Sequence, residues 1–311
     1  MTAPTFLIAG AARAGTTSLA EGLRTHPRVF VTQPKEPHYF ALHGCPANFQ
    51  GPGDADTVNR VAVTDRDDYL SLYPKAHDFL ALGDGSVSTL YYAERAAPEI
   101  VRMNPDMRIV VILREPVDRA YSGFQYLKTR GFEMSTDFLA AVAEEPRRKD
   151  ENWHHLWHYT SMSRYAGDLR VLQDALGRER VGVWFYDDLE ADYQGTLRGI
   201  QAFLGLPEDS TQDLDVPRVN VSGTPKLAAV QRGIQAATGN EFVRRTVKSL
   251  TTYRFRERIR RGGLRSSTVT AEERAELAPR FADDLAELSP LVDHPLPAWL
   301  REPDGASRPG G

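Results

Sequence analysis

Cysteine is nearly absent: Cys45 is the only one in 311 residues. An intramolecular disulfide is therefore excluded, a thiolate metal site cannot be built, and the composition fits a reducing compartment. Long apolar runs are missing too. No window approaches the ~20 apolar residues needed to cross a bilayer. The run from Phe6 to Ala12 is too short for a secretory signal and has no basic residue before it. The expectation is a cytoplasmic protein, in which Asn220-Val221-Ser222 carries no glycan. Nor is there a surplus of positive charge. Against 38 Lys and Arg stand 42 Asp and Glu, a formal net charge of −4, which excludes a general nucleic-acid coat and leaves room for local basic pockets.

What the chain does contain is an ordinary globular balance of 41% apolar and 26% charged residues, enough at this length to bury a substantial core. Short apolar runs alternate with helical patterns through the first half and again around Val181, which predicts βαβ units and a largely parallel sheet. Strands are expected at Phe6–Ala9, Val29–Thr32, Phe79–Leu82, Arg108–Leu113 and Val181–Tyr186. The fourth, RIVVIL, is β-branched and continuous, as a strand buried on both faces should be. Helices are expected over Thr16–Thr25, Glu94–Met103, Pro116–Lys128, Tyr165–Leu176 and Asp188–Leu204, the last stopped by Gly205 and Pro207. Another over Thr270–Leu288 opens on a Thr270/Glu273 capping box. With no internal repeat, one domain is expected over 1–301, followed by a disordered tail over 302–311.

A further absence follows the first strand. GAARAGTTSL, Gly10 to Leu19, has the glycine spacing and succeeding helix of a phosphate-binding loop, whose converging backbone N–H groups and positive helix end make an anion site. The lysine that would follow the second glycine, and reach the β- and γ-phosphates of a nucleotide, is replaced by Thr16. Its charge reappears at Arg13, inside the loop, where a guanidinium suits a smaller anion or charge building on a bridging oxygen. Alone, the loop supports several readings. It is a tight βα turn with a solvated Arg13, a nucleoside-triphosphate kinase with Asp187 as Mg²⁺ ligand, or a non-catalytic module that binds a nucleotide bisphosphate.

Two more segments bear on the choice. KEPHYF, Lys35 to Phe40, follows the second strand, and MNPDMRIVVILREPVDRAYSGF, Met103 to Phe124, ends the strongest strand on Arg114. With the loop, and with SRYAGDL, VWFYDDLEADYQGTLRGIQAFLGL and LAELSPLVDHPLPAWL further on, they resemble the sulfotransferases that use 3′-phosphoadenosine 5′-phosphosulfate (PAPS). The resemblance is closest to the bacterial and Golgi carbohydrate-type branch, which includes the heparan sulfate sulfotransferases. It implies a P-loop-like three-layer α/β fold with a central, mainly parallel sheet flanked by helices. It also implies in-line transfer of a sulfuryl group from PAPS to a hydroxyl, less readily an amine, of a carbohydrate, glycolipid or natural product. Adenosine 3′,5′-bisphosphate (PAP) would be released, with no metal required.

The resemblance assigns roles residue by residue. The amides of Ala14, Gly15, Thr16, Thr17 and Ser18, with the hydroxyls of the last three, would surround the 5′-phosphate. Arg13 takes the position of a lysine in many members and would stabilise charge on the oxygen bridging phosphorus and sulfur; as an arginine it offers charge rather than a proton. Arg114 and Ser122 would hold the 3′-phosphate, the alternative for Arg114 being an ion pair with Glu115 or Asp118, for which Arg119 competes. Glu36 would be the general base that deprotonates the acceptor, the alternative being a surface residue paired with Lys35; Lys35 would lie on the acceptor side, with His38 as the fallback base. In glycosaminoglycan-directed members a lysine stands near the sulfuryl group where this chain has Gly85, which weighs against a heparan-type acceptor. Asp84 and Ser86 are expected to contact the acceptor or to cap the next helix.

Other segments carry weaker signals. WHHLWHY, Trp153 to Tyr159, is expected to form an aromatic lip around the acceptor through Trp153, His155 and Trp157, or else an ordinary packed surface; His154 and His158 have the i, i+4 spacing of a metal-binding helix face but no third ligand. Tyr165, Ser163 and Lys226 resemble residues that border the nucleotide. The basic run from Arg244 to Arg265 reads as a solvated helix face, with peripheral membrane contact or docking of an anionic acceptor as the alternative. The acceptor would be a small molecule, glycan or glycolipid rather than nucleic acid, and the oligomeric state is left open.

Overall fold

The computed structural model describes residues 3–74, 79–207, 223–225, 264–266 and 268–301. All five apolar runs become strands of one parallel sheet: β1 (Phe6–Gly10), β2 (Val29–Val31), β3 (Ala81–Asp84), β4 (Arg108–Leu113) and β5 (Val181–Phe185), in the order β2-β3-β1-β4-β5. β3 begins two residues later than its apolar run because pairing with β2 starts at Ala81 opposite Val29, leaving Leu80 46% exposed. β4 is covered on both faces, with Ile109 to Leu113 fully buried, as its unbroken apolar pattern requires.

Connections to either side of β1 run in opposite directions, and right-handed crossovers therefore put their helices on opposite faces. On one face α1 (Thr16–Arg24) packs against a helix from the C-terminal half; on the other α2 (Ala93–Met103) packs against α4 (Ala166–Leu176). Between these in sequence, α3 (Pro116–Thr129) starts with proline in its first turn, its N–H groups at Val117 and Asp118 capped by the Glu115 carboxylate. The expected Asp188–Leu204 helix is two helices, α5 (Tyr186–Ala191) and α6 (Tyr193–Phe203), because Asp192 leaves helical geometry and caps the Gly195 amide at 2.8 Å. The α6 residue Tyr193 reaches the Ser18 carbonyl at 2.8 Å and ties α6 to α1.

The Thr270–Leu288 prediction divides similarly. α7 (Ala271–Leu277) opens on the expected reciprocal capping box of Thr270 and Glu273. A 3₁₀ turn around Pro279, which has no N–H to give, separates it from α8 (Ala282–Leu288). The chain then returns to β5, where Trp299 donates to the Asp187 carboxylate at 3.2 Å. Gly223–Pro225 and Leu264–Ser266 form a small antiparallel pair. Lys226, Asn220, most of the 244–265 basic run and the 302–311 tail lie outside the described residues. Among those described, no helix is long and apolar enough to cross a membrane.

In such a sheet the ligand crevice lies where the strand order reverses, at the carboxyl ends of the central strands. The loop after β1, KEPHYF after β2, Asp84 at the end of β3 with Gly85 and Ser86 after it, and Arg114 after β4 all emerge there.

Candidate functional site

Gly15 turns the β1 loop into α1. It stands at φ 88°, in the left-handed region that favours glycine. A side chain would not fit either, since a Cβ would lie 2.9 Å from the Leu189 side chain. Among the described residues, the first turn of α1 has no side-chain cap and no acidic residue, so its N–H groups and the positive helix end are open to an external anion. Thr16 and Ser18 are nearly buried at this end, whereas Thr17 is half-buried. Ala14 departs from expectation: its N–H turns back onto the Ala11 carbonyl at 3.3 Å, so the loop's outward donors begin after it.

Arg13, at φ 70°, also occupies a sparsely populated backbone region for a non-glycine residue. Its Nε lies 3.3 Å from Ser122 Oγ, and its guanidinium lies over the Tyr126 ring at 4.6 Å. Arg114 donates to the Arg13 carbonyl at 3.1 Å and lies over the Tyr186 ring at 4.4 Å. Two guanidiniums and a hydroxyl, from segments about a hundred residues apart, thus meet beside the uncapped helix end. The alternative pairing of Arg114 does not form. Glu115 and Asp118 are both taken by Arg274, at 2.7 Å from Glu115, and Arg119 is buried against Ser163 and the Tyr159 carbonyl.

Across the loop stands the acidic side of the site. Lys35 Nζ is 2.8 Å from Glu36 Oε1 and 3.4 Å from Thr16 Oγ1, so one ammonium joins the phosphate loop to the carboxylate. Burial pushes the Glu36 carboxyl up, but Lys35, His38 and the Val87 backbone N–H outweigh it, and its pKa falls below the usual glutamate value. His38, at φ 58°, is buried, whereas Glu36 is half-buried. Burial lowers its imidazole pKa and Lys35 adds to the effect, against the pull of Glu36. Its Nδ1 lies 2.8 Å from Ser88 Oγ.

Asp84 and Ser86 lie beneath this pair rather than facing outward. Asp84 is fully buried, accepts from Tyr69 at 2.6 Å and from the Ser86 amide at 2.9 Å, and Ser86 Oγ accepts from the His38 amide at 2.9 Å. Burial pushes the Asp84 carboxyl up, and the Glu36 charge adds to this against its hydrogen bonds. The two residues therefore hold the backbone that presents Glu36 and His38. Neither caps a following helix.

The WHHLWHY segment forms an inner wall, not an exposed lip. Trp157 and His155 are buried, and Trp153, half-buried, sits edge-on to Trp157 at 4.7 Å. The segment folds around the buried carboxylate of Asp54, which accepts from Trp157 Nε1 at 3.1 Å and from the His154 amide at 3.0 Å. His155–Trp157 is a 3₁₀ turn, so the i, i+4 face of His154 and His158 does not exist; His154 faces Asp54 and His158 meets Tyr91. His155 nonetheless comes within 5.6 Å of His38, ring to ring. Tyr165 is likewise interior, its hydroxyl bonded to the Arg114 carbonyl at 2.8 Å, where it positions Arg114. Ser163 is buried against Arg119. Asp187 follows the edge strand β5, and its carboxylate is engaged by Trp299 at 3.2 Å.

Sequence reasoning missed the rings beneath the two guanidiniums. Tyr126 had a signal, being four residues after Ser122 and so on the same helical face. Tyr186, Tyr69 and Ser88 had none, because each meets the site through tertiary packing.

Residues 4–210 match the Sulfotransferase family. Mouse Carbohydrate sulfotransferase 15 is 27% identical over 177 residues, 45% of this chain and 30% of that protein. Mouse Heparan sulfate glucosamine 3-O-sulfotransferase 3A1 is 28% identical over 208 residues, 65% of this chain and 46% of that one. The matches thus span less than half the length of these relatives. A solved sulfotransferase from Alicyclobacillus acidocaldarius superposes with a TM-score of 0.72 at 27% identity, covering 97% of this chain and 100% of that one. On its sequence match, its sheet and the loop that β1 carries, the chain belongs to the sulfotransferase family.

Proposed function

We propose that the protein transfers a sulfuryl group from PAPS to a hydroxyl, less readily an amine, of a small molecule, glycan or glycolipid. The observation that carries this reading is the convergence of Arg13, Arg114 and Ser122 beside the uncapped N-terminus of α1, opposite the Lys35–Glu36 pair. The donor set suits a ligand with two separate anionic ends. Backbone N–H groups and the Thr16, Thr17 and Ser18 hydroxyls hold the 5′ end, and Arg114 with Ser122 holds a 3′-phosphate bidentately.

PAPS supplies an activated sulfur whose bond to the bridging oxygen breaks as the acceptor oxygen bonds to it. Arg13 stabilises the charge left on that bridging oxygen and gives up no proton. Glu36, ionised at neutral pH, takes the acceptor's proton. His38, neutral and bonded to Ser88, supports the wall behind the base. Incubation with ³⁵S-labelled PAPS and panels of sugars, glycolipids and hydroxylated natural products tests the reading. Label should appear on one class with release of PAP; transfer of label from γ-phosphate-labelled ATP and none from PAPS would reverse it.

A further inference from the structure

Lys35 holds two partners that the reaction would need apart. Its ammonium pairs with the Glu36 carboxylate at 2.8 Å while lying 3.4 Å from the Thr16 hydroxyl on the phosphate loop. A carboxylate so paired stays ionised but accepts a proton poorly. An ammonium has three donors on a flexible stem and can follow a stronger anion. Thr16 is where such an anion would arrive.

We propose that Lys35 is a donor-responsive latch on the base: the sulfated end of the donor draws the ammonium off Glu36 and toward the loop, so that Glu36 becomes an effective proton acceptor only once the donor is seated. This rests on the donor reading above. In the transfer step the acceptor oxygen bonds to sulfur, the bond from sulfur to the bridging oxygen breaks with its electron pair left on PAP, and the acceptor proton passes to Glu36. A base released only by the donor keeps acceptor deprotonation in step with the presence of sulfur to attack.

Among the described residues, Lys35 is the neighbour of Glu36 able to make this move. His38 is held by Ser88 and Ser86. Asp84 is fixed by Tyr69 and the Ser86 amide. Lys35 itself is held at its root, where its carbonyl accepts from the Gly85 amide at 2.8 Å, and its stem lies across Gly85. A Cβ at position 85 would stand 2.5 Å from Lys35 Cε. The missing side chain at Gly85 is therefore what lets the lysine reach both partners.

Carboxyl ¹³C NMR of the full chain tests this, with the Glu36 resonance assigned by its loss in Glu36→Gln and ligand binding followed by calorimetry. In the wild type, the Glu36 titration should rise by about one unit or more on adding PAPS without acceptor, and less with PAP. In Lys35→Met it should start higher and move less. Gly85→Ala, whose only clash is with the flexible lysine stem, should shift it in the same direction as Lys35→Met. A wild-type titration unmoved by bound PAPS, or the same starting value in wild type and Lys35→Met, overturns the latch alone. Failure of PAPS to bind overturns the donor reading on which it stands.

Discussion

Arg13 Nε lies 3.3 Å from Ser122 Oγ, across 109 residues of chain, with Tyr126 from the same helix beneath the guanidinium. The loop cation is thus held by the helix after β4, not by the loop itself. Arg13→Ala should lower kcat by roughly 10²–10³, the range for losing one preorganised charge-stabilising group, with a smaller loss in PAP affinity. Arg13→Lys should retain more activity than Arg13→Ala because the charge survives. Steady-state kinetics that leave Arg13→Ala unimpaired would remove Arg13 from the chemistry.

Glu36→Gln separates binding from proton transfer. PAP affinity should stay near the wild-type value, since Glu36 is not among the groups proposed to hold the donor phosphates, while turnover falls by about 10²–10⁴. Retained turnover would move the base to His38.

Asp168, on α4, gives a pH-dependent signature of stability. Burial, then the Asp284 and Glu94 charges, push its carboxyl up to about 7, above the ~3.9 of an unfolded aspartate. Between those values the folded chain keeps a proton that the unfolded chain has lost, so stability falls as pH rises through this window. Urea unfolding at a series of pH values should show the decline, and Asp168→Asn should flatten it. An unchanged slope in the variant would clear Asp168 of the effect.

The 133–159 region is held by an interior ion pair. Glu133 and Arg148 meet at 2.7 Å with both side chains 4% exposed, and Tyr159 donates to the same carboxylate at 2.8 Å. Glu133→Ala leaves Arg148 buried without its countercharge and should cost about 3–5 kcal/mol in urea denaturation. A cost near that of a surface substitution would mean that solvent reaches the pair.

Much of this architecture was legible in the residues. β4 announced itself as an unbroken β-branched run, and the β1 loop by its glycines; Arg13, Arg114, Ser122 and Glu36 follow strands whose carboxyl ends the fold brings together. Where helices divide, the causes were local but easy to pass over: Asp192 caps a second helix, and Pro279 interrupts the last. The roles of Trp157, His155, Asp84 and Tyr165 were not legible, because a polar aromatic segment has the same composition whether it rims a pocket or wraps a buried carboxylate. Asp54, around which that segment folds, lies 103 residues from Trp157, and no spacing rule connects them.

The central claim is that the loop without its lysine is fitted to a bisphosphate and not to a triphosphate. Isothermal titration of the same preparation with PAP and with ATP plus Mg²⁺ tests it most directly. Clear preference for PAP, reduced in Arg114→Ala, is the predicted result; equal or stronger binding of ATP with Mg²⁺ would contradict it.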